Sequence, residues 1–239
     1  MASRQQLLSY LRAAVERYDM IAPGDRVAVG VSGGKDSLAL LDLLAAYRRF
    51  SPVPFELTAL TLDPCFGGEE GDYSAVAAMC ERLDVPYVLR RTRLAETVAE
   101  RAGGKPPCSL CAKMRRGVLH RAAREAGCNV VALGHHKDDV GETVLMNLLG
   151  GGRFACFSPR TELDRSGLVL IRPLVFADER EIAAFAANEA LPIVRSRCPV
   201  DGATHRQRMK ERLAGLGDEY GAVNDKLLNA LQQAHVNGW

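Results

Sequence analysis

The chain has 239 residues and a mass of 26.0 kDa, with 47% hydrophobic and 25% charged residues and a formal net charge of +2. That length buries one substantial core rather than two full catalytic domains, and the apolar runs break well before membrane-spanning length. A charge this close to neutral excludes a globally basic nucleic-acid binder, so any such surface has to be local.

In chain order, the opening "MASRQQLLSYLRAAVERY" sets Leu7, Leu8, Leu11 and Val15 at helical spacing with charges between them. This predicts an amphipathic helix over 1–22 and lacks the apolar core of a secretory signal, as expected of a cytoplasmic protein. "GDRVAVGVS" is a β-branched run ending in a Gly-rich turn, and "KDSLALLDLLAAYRRF" follows with leucines at helical spacing. The same alternation returns in "FELTALTLD", "PYVLRR", "NVVALG" and "LVLIRPL", each a strand, with helical stretches between them. Alternating strands and helices predict an α/β fold: a parallel five-stranded sheet flanked by helices over 23–177. From Asp178 only helical patterns remain, so 178–239 reads as a helical C-terminal extension that packs on the sheet or caps its active edge. Segments 65–72, 101–107 and 150–167 are rich in Gly, Pro and charge and read as mobile loops.

"VSGGKDS", Val31 to Ser37, lies between the first strand and its helix, where an open α/β sheet places its ligand. Gly33 and Gly34 allow a tight turn and close approach of an anion; the helix start and the hydroxyls of Ser32 and Ser37 can donate to phosphate oxygens. Lys35 adds positive charge, and Asp36 can hold a Mg2+ that bridges phosphates. The spacing fits neither the Walker loop nor the dinucleotide fingerprint. Asp63, at the end of "TALTLD", is placed either to face an adenosine or to cap a turn.

"ALGHHKDDVGET", Ala132 to Thr143, is a second strand-end segment. Adjacent histidines do not face one way, so a mononuclear metal site is disfavoured. Gly134 and the segment as a whole would face the nucleotide across a cleft: Lys137 could neutralise charge on the α-phosphate, while His135, Asp138 or Asp139 could order Mg2+ or the reacting base.

Seven cysteines without an export signal are expected to be reduced thiols. Cys65, Cys80, Cys128 and Cys156 stand singly and read as small buried hydrophobes. Cys108 and Cys111 form a C-x-x-C at a helix start with Arg115 and Arg116 behind it, an arrangement that lowers thiol pKa. Cys198 is their obvious partner, and three cysteines do not close a structural zinc site. A redox or persulfide pair with Cys198 as acceptor, and a purely structural turn, stand beside a metal-ligand role. The stretch 195–212 carries six Lys or Arg against Asp201 and Glu211. Arg195, Arg197, Arg206, Arg208 and Lys210, with Arg115 and Arg116, are the candidates for RNA phosphates; ordinary solvated helix faces are the bland alternative.

"SGGKDS" resembles the PP-loop of ATP pyrophosphatases. With "CSLCAKMRRGVLHRAAREAG", "ALGHHKDDVGETVLMNLLGGGR" and "LIRPL" following in that order, the chain from about Pro23 to Lys210 resembles the tRNA 2-thiocytidine synthetase family, TtcA type. The resemblance implies an AMP-forming sulfurtransferase that uses ATP, Mg2+ and a 4Fe-4S cluster to thiolate a cytidine of the tRNA anticodon loop. It places the cluster on Cys108, Cys111 and Cys198 and leaves one iron without a protein ligand to carry sulfide. Asp36, Lys137 and Asp138 join the three cysteines as implied catalytic residues. Partners would be tRNA and a sulfur donor, either cysteine desulfurase-derived or free sulfide, with room for a homodimer and no membrane. Asp201 stands where the family commonly has another cysteine, and the chain is shorter at its C-terminus than typical members. The alternatives are a PP-loop sulfurtransferase or amidating adenylase acting on another base or a small molecule, and a non-catalytic Fe-S or nucleotide-binding protein.

Overall fold

A computed structural model describes residues 3–101, 108–164, 166–199 and 205–239. Asp201 and most of the 101–107 loop lie outside the described residues. Helix α1 (Arg4–Arg17) is capped by Ser3, whose side chain accepts the Gln6 N–H, and buries Leu7, Leu11, Ala14 and Val15. The parallel strands are β1 (Arg26–Gly30), β2 (Glu56–Asp63), β3 (Tyr87–Arg91), β4 (Val130–Ala132) and β6 (Leu168–Ile171). A sixth strand, β5 (Arg160–Leu163), pairs antiparallel with β6 at one edge, giving the order β3-β2-β1-β4-β6-β5. It falls inside a segment that composition assigns to a loop: "RTEL" is polar, and its order comes from ladder bonds to β6 rather than from its own pattern.

The sheet is covered on both faces, which is why its inner strands read as continuous apolar runs. Val27 and Val29 of β1 enter the larger core, and Ala28 enters a smaller one with Leu60, Ala123 and Val131. Helix α2 (Lys35–Arg48) is buried along most of its length in the larger core. Its buried Asp42 is paired with Arg4 of α1 at 2.9 Å. The smaller core lies under α5 (Cys108–Glu125), which supplies Ala122 and Ala123. Helices α3 (Ser74–Arg82) and α4 (Leu94–Arg101) follow β2 and β3, and α6 (Lys137–Gly151) follows β4.

The C-terminal helices α7 (Glu179–Asn188), α8 (His205–Tyr220) and α9 (Val223–Gln233) are not a detached lobe. Ile182, Phe185, Leu228, Leu231 and Trp239 belong to the same core as Leu7 and Leu38. Between β1 and β4 the chain direction reverses its order across the sheet, and this switch point is where the ligand crevice of such a fold opens. Among the described residues no helix is long and apolar enough to cross a membrane.

Candidate functional site

The loop after β1 is held closed by its own hydroxyls. Ser37 Oγ donates to the Gly34 carbonyl at 2.9 Å and accepts the Ser32 N–H at 3.1 Å, while Ser32 Oγ accepts the Gly34 N–H at 3.3 Å. Gly33 sits at φ +87°, a left-handed conformation that favours glycine. Gly134 packs end-on against the same loop: a Cβ there would lie 3.0 Å from the Asp36 carbonyl carbon. The first-turn N–H groups of α2, which have no partner within the helix, are thereby left at the mouth of the crevice.

Three helix starts converge on this point. Lys35 of α2 pairs with Asp36 and with Glu179 of α7, each at 3.0 Å. The Glu179 N–H donates to Asp138 Oδ2 of α6 at 2.7 Å. His136, just before α6, lies 3.4 Å from Asp139, 3.6 Å from Asp138 and 3.8 Å from Asp36. Burial works against charge on His136, but the surrounding carboxylates outweigh it and raise its pKa. Burial likewise opposes the charge on Lys35, and Asp36 and Glu179 reverse the balance and raise its pKa. Asp36 Oδ1 is buried, ion-paired with Lys35 but without a directed hydrogen bond. An oxygen in that state, in a cluster richer in carboxylates than in cations, fits a hard divalent ion such as Mg2+.

His135, expected to face the nucleotide, turns the other way. Its ring packs on Phe157 with centroids 5.0 Å apart, and burial beside Arg172 and Arg206 pushes its pKa down to about 4. Lys137, expected at the α-phosphate, is buried with its ammonium between Asp178 at 2.9 Å and Asp225 at 2.7 Å. Asp63 directs both oxygens into its own loop, accepting the N–H groups of Cys65 at 3.0 Å and Gly71 at 2.7 Å, which is the turn-capping role.

A cavity of about 530 Å3 joins the phosphate loop to Cys198: Ser32, Gly34, Asp63, Arg115, Arg195 and Cys198 are among its lining residues. Cys108 and Cys111 fall in the first turn of α5. Burial raises the Cys111 thiol, Arg115 pulls it down, and the nearby sulfurs of Cys198 and Cys108 push it up. The net rise at Cys111 corrects the expectation of a lowered thiol, because burial outweighs the cation. Cys108 and Cys198 are thus both near enough to Cys111 to influence its thiol. Among the described residues no three His, Cys, Asp or Glu side chains converge on a single ion-sized point. The donor set these cysteines offer is all thiol, the ligand type of an iron–sulfur cluster rather than of a hard divalent ion. Of the single cysteines, Cys80, Cys128 and Cys156 are buried as expected, whereas Cys65 stays half-buried on the loop after β2.

The basic stretch divides in two. Arg195 and Arg208 are exposed, as is Arg197, which bonds Glu69 and the Glu70 carbonyl at the surface. Arg116 is exposed and Arg115 half-buried on α5. Arg206 instead turns inward to Asp139 at 2.7 Å and Glu142 at 3.1 Å, and Lys210 binds Glu179. Both head groups are taken up by the protein's own carboxylates rather than standing free on the RNA-facing surface. His136, Glu179, Asn224 and Glu142 were not singled out by sequence. They join the site through contacts between residues up to 144 positions apart, which no local pattern announces.

The closed Gly-Gly loop at the switch point, with its lysine and carboxylates, defines a nucleotide-binding PP-loop domain, and the family so described matches residues 4–215. A tRNA-cytidine(32) 2-sulfurtransferase from Geobacter metallireducens is 42% identical over 221 residues, covering 91% of this chain and 85% of that protein. Another from Anaeromyxobacter sp. strain Fw109-5 is 40% identical over 237 residues, covering 95% and 75%. The chain belongs to the tRNA-cytidine(32) 2-sulfurtransferase family of PP-loop proteins. In fold it matches the U34-tRNA thiolase NcsA from Methanococcus maripaludis, solved with its 4Fe-4S cluster, at a TM-score of 0.76 and 23% identity, covering 97% of this chain and 79% of that one.

Proposed function

We propose that this protein is an AMP-forming ATP pyrophosphatase that transfers sulfur to an adenylated cytidine in the anticodon loop of tRNA, giving 2-thiocytidine. The observation that carries the reading is the single cavity shared by Ser32 and Gly34 of the phosphate loop and by Cys198, with Arg115 at its wall. ATP activation and sulfur delivery must meet at one carbon, and this cavity offers both groups access to it. The relatives' names supply the substrate class.

In this reading the loop of Ser32, Gly33, Gly34 and Ser37 holds the β,γ-phosphates, with Lys35 beside it. The cytidine 2-carbonyl oxygen attacks the α-phosphorus, the α–β phosphorus–oxygen bond breaks, and pyrophosphate leaves with the electron pair. Hydrosulfide then adds to the activated carbon and loses its proton; the carbon–oxygen bond breaks, and AMP departs with the oxygen. A 4Fe-4S cluster on Cys108, Cys111 and Cys198 would supply an iron without a protein ligand, able to carry that sulfide. Arg115 would offset negative charge where the cavity meets the thiolates, and Asp36 would hold Mg2+. Asp138, fixed by the Glu179 N–H and by Asn224 at 2.9 Å, keeps α6 and α7 together behind the phosphates. Arg195, Arg197 and Arg208, with Arg116, would meet tRNA phosphates. The sulfur donor is taken to be free sulfide or the product of a cysteine desulfurase, the setting the cytoplasm, and the assembly to test a homodimer.

The test is anaerobic purification with iron and sulfide quantitation, followed by thiolation of unmodified tRNA with ATP and sulfide. About four irons per chain, lost in Cys198→Ala together with 2-thiocytidine formation, is the expected result. Iron-free protein that still thiolates tRNA would move Cys108 and Cys111 to persulfide chemistry. ATP turnover driven by a small molecule and indifferent to tRNA would overturn the substrate.

A further inference from the structure

Glu179 is the meeting point of two lysines from distant parts of the chain. Its carboxylate accepts from Lys35 Nζ at 3.0 Å and from Lys210 Nζ at 2.7 Å. Lys35 opens α2, directly after the phosphate loop; Lys210 lies on α8, 175 positions later in the chain. Two ammonium groups on one anion, at the point where α2, α6 and α7 begin, is the arrangement a polyphosphate oxygen would find. A carboxylate supplied by the protein holds that place here. The stretch around Lys210 otherwise reads as a tRNA surface, but this ammonium is held by Glu179.

We infer that Lys210 is a second phosphate-binding lysine of the ATP site, and that Glu179 is the resident anion which the β,γ-phosphates displace from Lys35 and Lys210. The inference rests on the reading of the loop as an ATP site and adds to it a residue from the C-terminal helices. Those helices thereby become part of the nucleotide site. With Lys210 drawn onto the nucleotide, α8 closes over the start of α2; with Glu179 in place, the two lysines keep their separation and charge while the site waits. Asp36, the other carboxylate on Lys35 at 3.0 Å, stays with the loop and is not displaced.

The experiment is calorimetric titration of the full chain, without tRNA, with magnesium pyrophosphate, magnesium ATP and AMP. Lys210→Met is expected to weaken pyrophosphate and ATP roughly tenfold, the loss of one charge-assisted contact, and to leave AMP binding within twofold. Lys210→Arg should restore most of the affinity. Glu179→Gln should bind pyrophosphate at least as tightly as the wild type, since a competing anion is gone. Lys210→Met binding pyrophosphate within twofold of the wild type, or weakened equally for AMP, overturns the inference. If that variant does not fold, Lys210→Gln serves the same comparison. A wild-type chain that binds neither ATP nor pyrophosphate would instead overturn the nucleotide reading itself.

Discussion

Val194 donates its backbone N–H to the Gly33 carbonyl at 2.9 Å, and its side chain fills the space a Cβ on Gly33 would need, 2.8 Å away. The segment that leads from α7 to Cys198 is thus laid directly on the phosphate loop. Loop conformation and cysteine position are coupled through this contact.

Gly33→Ala should therefore do more than strain one residue. The left-handed φ costs about 1–2 kcal/mol for an L side chain, and the clash with Val194 adds to it. ATP affinity is expected to fall roughly tenfold or more, and the strain carried by the folded loop should lower the melting temperature by about 2–8 °C. Equal ATP affinity in the two proteins would show that the loop relaxes freely.

Arg206 and Arg208 are near neighbours in sequence with opposite expected phenotypes. Arg208→Glu should weaken tRNA binding and flatten its salt dependence, measured by filter binding across a salt series. Arg206→Ala removes a cation from Asp139 and the buried Glu142. It should lower stability by about 1–2 kcal/mol, discounted for the partial exposure of the guanidinium, and leave the salt slope alone. A changed salt slope in Arg206→Ala would put that residue on the RNA.

Lys137→Met tests whether this lysine serves structure or chemistry. Its ammonium is buried between Asp178 and Asp225, so its loss leaves carboxylates unpaired at the junction of α6, α7 and α9. Urea denaturation should show a loss of about 1–3 kcal/mol, while ATP affinity stays within a few-fold. A stable variant dead in ATP turnover would return Lys137 to the reacting phosphate.

His135 sets an acid limit on the fold. Its folded pKa, about 4, lies below the ordinary 6.5, so the folded state holds the ring neutral while the unfolded state takes up a proton as the pH drops. Stability from this group is intact above about pH 6.5 and is lost as the pH falls toward 4, by something on the order of 1–3 kcal/mol. His135→Phe, which keeps a ring against Phe157 and removes the unpartnered buried Nδ1, should shrink that slope. An unchanged acid slope would assign it to the carboxylates alone.

Much of the architecture was legible because a parallel sheet covered on both faces writes itself as apolar runs separated by helical periods. The five parallel strands and the phosphate loop follow from that alone. Strand β5 and helix α4 did not, since "RTEL" and "LAETVAER" are polar enough to pass as loop and owe their order to β6 and to packing against α5. The motif segment "GHHKDD" announced chemistry but not direction. Which histidine faces the carboxylates depends on Phe157 and on the starts of α2 and α7, none of them local to it. The basic stretch likewise gave its charges without saying which ones point inward.

Strand β1, which ends in the phosphate loop, has β2 on one side and β4 on the other, and β4 is drawn from residues about a hundred positions later. A ribosome making this chain exposes β1 with one hydrogen-bonding edge open until residues 130–132 emerge. Helices α7 and α9, which complete its core, come later still. Assembly of the nucleotide crevice is therefore a late event in synthesis, governed by long-range pairing rather than by local helix formation. Nascent chains stalled before β4 would carry an apolar, unpaired edge and depend on chaperones for their solubility.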